Sequence, residues 1–167
     1  MDKAPKTLTS IFADTDNVTY GPFAILKNTG QGFKQARFMV DGTEVPLEAA
    51  QKKIMALLIS QQGKTLTVLE MAQGMETEKF DEIAEDIQNP ESSVIRQQAL
   101  RKGHRNYGTH ISYIREALID KFGAGTPETI RYLAILETVK GYSIRPALSL
   151  MKSGYRLNIG EPAADLQ

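Results

Sequence analysis

The sequence predicts an α+β fold: a small antiparallel sheet first, helices through the middle, and a β-hairpin near the C-terminal end. Three observations predict it. Asp41-Gly42 stands between the β-type runs Phe33 to Val40 and Thr43 to Val45, and Asp-Gly is a strong hairpin cue. Leu47, Ala50, Ile54, Leu57 and Leu58 recur at helical spacing, as do Ile111, Ile114, Leu118 and Phe122. Leu136 to Arg145 reads as two short extended runs around Lys140-Gly141.

The bulk numbers bound the rest. The chain has 167 residues, 41% of them hydrophobic and 24% charged, enough for one domain with a sizeable core. It has no cysteine, which excludes disulfides and cysteine metal sites. No apolar run approaches the roughly 20 residues of a membrane span, and no signal-type segment follows Met1, so a cytoplasmic protein that does not engage a membrane is expected. The net charge is zero, which argues against coating nucleic acid through an overall field. Charge is nevertheless polarised: Glu76 to Glu91 is acidic, whereas Arg96, Arg101, Lys102 and Arg105 follow with no acid between them.

Taken in order, residues 1–17 are polar and aperiodic and read as a flexible N-terminal arm. Residues 18–45 read as an antiparallel sheet, with turn material at Asn28 to Gly32 and at Asp41-Gly42. Pro46 is suited to the first turn of a core helix that runs to Gln61. Thr67 and Glu70 make a capping box for a second helix that ends near Gly74. Phe80, Ile83, Ala84 and Ile87 then form the apolar side of an acidic helix, stopped by Asn89-Pro90. Ser92 or Ser93 caps a further stretch from Val94 to Lys102, which Gly103 is expected to interrupt, so that the following helix starts near Thr109. Thr126-Pro127 opens a short turn, Tyr132 to Val139 reads as a strand, and Tyr142 to Arg145 as its returning partner. A second hairpin-like run, Leu148 to Ile159 around Ser153-Gly154, competes with the first.

Between about Phe38 and Arg145 the chain resembles the OmpR/PhoB-type DNA-binding domain, the output domain of many bacterial response regulators. The resemblance lies in Val40-Asp-Gly before Val45-Pro-Leu, in Ile54, Leu57 and Leu58, in His110 to Leu118, and in Glu137 to Gly141. It implies a winged helix-turn-helix over residues 18–146, with the acidic segment 75–105 as a helical insertion and 147–167 as a C-terminal extension. Residues 1–37 are too short for the phospho-acceptor receiver domain, and none is expected. The implied function is sequence-specific binding of double-stranded DNA in transcription regulation. The recognition helix would enter the major groove and a wing, 136–145 or 148–159, the minor groove.

On this reading Arg101, Lys102 and Arg105 approach phosphates. Asn106, Thr109, His110 and Tyr113 face base edges, and Arg115, Lys140 and Arg145 add phosphate or minor-groove contacts. In the family the loop before the recognition helix often meets RNA polymerase, so residues 75–105 are where RNA polymerase or another regulator would be met; a homodimer follows by analogy. The alternative is a winged-helix protein-protein interaction module that uses the acidic amphipathic helix and binds little or no DNA. The two histidines, His104 and His110, lie in the basic stretch with no recognisable nucleophile or phosphate loop, so no enzyme, cofactor, catalytic residue or metal site is expected.

Overall fold

The computed structural model describes residues 6–28, 30–141 and 143–160. The first five residues of the expected arm, Thr29 in the expected turn, Tyr142 of the expected returning strand and the tail after Gly160 lie outside them.

The chain begins with a one-turn helix, α1 (Leu8–Ile11), capped by Thr7. The expected loose arm is docked here: Leu8 is buried, Thr9 is held by both carboxylate oxygens of Glu76, and Lys6 donates to the Ser60 carbonyl. Four strands follow, β1 (Asn17–Tyr20), β2 (Phe23–Leu26), β3 (Arg37–Val40) and β4 (Thr43–Glu44), forming an antiparallel sheet in sequence order. Alternation builds it. Phe23 and Ile25 of β2 and Phe38 and Val40 of β3 are buried, while the residues between them are more exposed. The Asp41-Gly42 cue holds, since both residues take positive φ at the β3–β4 turn. Tyr132 and Arg131 both donate to the Asp41 carboxylate and so tie this turn to a later helix.

Helix α2 (Ala49–Ser60) is buried almost all round and packs on β1, β2 and β3 on one side and on the later helices on the other. It starts after Glu48, so Pro46 precedes the helix rather than opening it. Next come β5 (Leu66–Thr67) and α3 (Val68–Met75), with the Thr67–Glu70 capping box formed in both directions. Helix α4 (Glu78–Gln88) carries the acidic segment. Its apolar residues Phe80, Ile83, Ala84 and Ile87 are buried in this chain's own core, so they offer no apolar face to a partner.

The middle of the chain departs from expectation. Helix α5 (Ser93–Phe122) is a single helix of 30 residues, about 45 Å long at 1.5 Å per residue. Gly103 does not interrupt it. A Cβ there would stand 2.5 Å from Val68 Cγ2 and 3.3 Å from Ile83 Cγ2, so the glycine is where α5 presses against α3 and α4. Helix α6 (Pro127–Ile135) follows, capped by Thr126, and it absorbs Tyr132 to Ile135, which the sequence reading places in a strand.

The C-terminal sheet corrects both expected hairpins. Strand β6 (Leu136–Val139) comes from the first and β7 (Gly154–Leu157) from the second, and they pair with each other. Between them lies α7 (Pro146–Lys152), with Pro146 in its first turn rather than at a strand end. Sheet order is β5-β7-β6, all antiparallel. Residues 154–157 are therefore an integral strand, not part of an extension, and Leu157 is fully buried. The fold is α+β, as expected. No helix among the described residues is long and apolar enough to cross a membrane.

Candidate nucleic-acid interface

Helix α5 is positioned by a buried line of small and large residues. Ala99, Leu100, Gly103, Tyr107, Ile111, Ile114 and Leu118 face the core, and Ser92 caps the start by accepting from the Ile95 N–H. The two glycines in its interior cost about 1 kcal/mol each relative to alanine. Packing offsets this. Gly103 admits Val68, and Gly108 lies under Tyr155, whose hydroxyl would be 3.5 Å from an added Cβ. Tyr107 is fully buried, donates to the Leu66 carbonyl at 3.0 Å and meets the Tyr155 ring edge-on at 4.7 Å. Burial, with Tyr155 and Glu70 nearby, holds its hydroxyl pKa well above the usual value, so it remains a donor.

The opposite side of α5 is open. Arg101, Lys102, Arg105, Thr109, Ser112, Tyr113 and Glu116 are exposed there, Tyr113 at 54%. Among the described residues, the ion pairs are Arg37–Glu44, Arg131–Asp41 and Arg156–Glu137, so no carboxylate among them pairs with Arg101, Lys102 or Arg105. Thr109 donates back to the Arg105 carbonyl and remains exposed. Lys140 and Arg145, in the β6–α7 connection, are also exposed.

Three expected contacts are occupied inside the molecule instead. Asn106 accepts from Lys79 Nζ at 2.7 Å and donates to the Lys102 carbonyl, joining α4 to α5. Arg115 donates to the Leu136 carbonyl and the Thr138 hydroxyl, with its guanidinium 5.8 Å from the Tyr155 ring centroid. His110 sits half-buried against α2, its Nδ1 2.8 Å from Gln51 Nε2. Gln51 Oε1 accepts the Glu48 N–H, so its amide presents N–H to the imidazole and Nδ1 is the acceptor. Burial first, then the nearby Lys79 charge, lowers the His110 pKa against the pull of Glu48. Neutral imidazole is the form this arrangement holds.

The exposed line runs beside two flanking elements. On one side α4 lies antiparallel to the N-terminal half of α5, with Arg96 Nε donating to the Ile87 carbonyl and Lys79 reaching Asn106. The outward side chains of α4, namely Glu78, Asp81, Glu82, Glu85 and Asp86, are all exposed. On the other side α7 is fastened by His104 Nε2–H donating to the Leu150 carbonyl at 2.6 Å. A row of cations thus has a carboxylate surface on one flank and, on the other, α7, whose charged residue is Lys152 in its last turn. Ser112, which the sequence reading does not single out, is on the same exposed face; it lies three residues after Thr109, and the helical period that places Thr109, Tyr113 and Glu116 there finds it as well.

Compared with protein-family models, curated proteins and solved structures, the chain matches none of them.

Proposed function

We propose that this chain is a sequence-specific double-stranded DNA-binding transcriptional regulator, non-enzymatic and acting in the cytoplasm. The observation that carries the reading is the row Arg101, Lys102 and Arg105, paired with no carboxylate among the described residues and continuous with Thr109, Ser112 and Tyr113 on one open helix face. In this reading the fold is a winged helix-turn-helix of OmpR/PhoB type. The middle of α5 lies in the major groove, and the β6–β7 pair with its connection is the wing, with Lys140 and Arg145 toward the flanking minor groove. Cations bring phosphate affinity; Thr109, Ser112 and Tyr113 supply base-edge and methyl contacts. The α4 carboxylates repel phosphate and restrict docking to one side of α5, and the same acidic face is where RNA polymerase or another regulator would bind.

A mobility-shift titration over genomic fragments tests this. Arg105→Ala is expected to weaken binding to every sequence by about 1–3 kcal/mol and to reduce the salt slope by about 1. Thr109→Ala combined with Tyr113→Ala is expected to remove discrimination between fragments while leaving the salt slope unchanged. If the wild type binds no duplex at low salt, the DNA reading fails, and an interaction module working through the acidic α4 face takes its place.

A further inference from the structure

We infer that the cavity between α5 and the β6–α7–β7 segment is a binding site for a small amphipathic carboxylate, a molecule with one anionic head and an apolar body. The cavity measures about 630 Å³, within the roughly 300–1,000 Å³ typical of small-molecule sites. Val139, Leu150 and Tyr155 supply an apolar floor, and Arg101 and Lys140 stand at its wall from opposite elements. No carboxylate lines it among the described residues, whereas the cavities at α2–α3 and at α2–α5 include Glu70 and Glu48 respectively.

Two cations lining one partly apolar cavity, with no carboxylate among its described lining residues, leave a charge that an anionic ligand would satisfy. A purely inorganic anion would leave the floor uncovered; a neutral apolar molecule would leave the cations unpaired. The wall is built, not incidental. His104 fixes α7 through the Leu150 carbonyl, and Ser153 Oγ accepts the Gly141 N–H while donating to Ser149, so the two ends of the connection are joined beside the cavity. An occupied cavity would also engage Arg101 of the proposed DNA face, a link that rests on that reading, whereas the site itself does not.

The test uses the full chain without DNA, so its failure leaves the DNA reading untouched. Amide NMR shifts across residues 101–108 and 138–155 are followed during titration with octanoate, 1-octanol, acetate and inorganic phosphate. Octanoate is expected to saturate these shifts, with each of the other three at least about tenfold weaker. Arg101→Gln combined with Lys140→Gln should weaken octanoate about tenfold and leave 1-octanol unchanged, while Lys121→Gln, remote from the cavity, should change neither. The proposal is overturned if octanoate does not saturate, if 1-octanol binds as tightly, if acetate or phosphate binds as tightly, or if the double variant retains wild-type affinity.

Discussion

In the N-terminal sheet every hydrogen-bonded strand pair is adjacent in sequence, from Asn17 to Glu44, whereas in the C-terminal sheet Leu66 pairs with Tyr155 and Leu136 with Leu157. In the first, the β1–β2 and β3–β4 connections are two-residue turns, the latter at Asp41-Gly42. The second exists only because α2, α3, α5 and α6 have brought its strands together. Local chemistry therefore sustains one sheet and tertiary packing the other, and substitutions should act on them by different routes.

The largest effect is expected at Gly154. A Cβ there would stand 2.2 Å from the Leu66 carbonyl oxygen and 2.9 Å from its carbon, backbone atoms that cannot rotate away. Gly154→Ala should cost at least about 3 kcal/mol in urea unfolding by prising β5 from β7. A loss under about 1 kcal/mol would mean that this pairing does not hold β7 in place.

Tyr107→Phe comes next. It strips the buried Leu66 carbonyl of its α5 donor, at a cost of about 1–2 kcal/mol by the same measurement. No change would show that β5 needs no anchor from α5.

A smaller effect should follow pH. Because the folded-state pKa of His110 lies below the ordinary value, its neutral form contributes stability that is present above about pH 6.5 and lost as pH falls through the depressed folded value. Protonation would set an N–H against the Gln51 amide. The urea midpoint of the wild type should fall between pH 7.5 and 5.5 by more than that of His110→Gln; parallel falls would remove His110 from the account.

The smallest effect is expected at Glu44, whose pair with Arg37 is about half exposed on the edge of the first sheet. Glu44→Gln should change stability by under about 0.5 kcal/mol, and less still at high salt. A larger loss would mean that the N-terminal sheet is not sustained mainly by its turns and alternation.

The same division explains what was legible in the sequence. Asp41-Gly42, the Thr67–Glu70 box and the stripe Ile111, Ile114 and Leu118 act within a few residues, and each formed as its local chemistry dictates. That stripe also sufficed to place Thr109 and Tyr113 on the open face. Gly103 reads as a break in the sequence because a glycine that breaks a helix and one that admits a neighbouring helix look alike until Val68 and Ile83 are seen against it. Asn106, His110 and Arg115 read as open to a partner because the groups that engage them, Lys79, Gln51 and Leu136, lie 27, 59 and 21 residues away. The pairing of β6 with β7 was hidden for a like reason: each half had a nearer, plausible partner, and α7 intervenes.

Strand β5 also sets a schedule for synthesis. Thr67 leaves the ribosome long before Gly154, its partner in the ladder. At roughly 5–20 residues per second that interval is on the order of ten seconds. A long apolar strand left waiting would be a template for pairing with other chains. Two residues are too few to serve as one, and in the meantime α3 to α5 can form and close over Leu66, so the brevity of β5 protects the nascent chain.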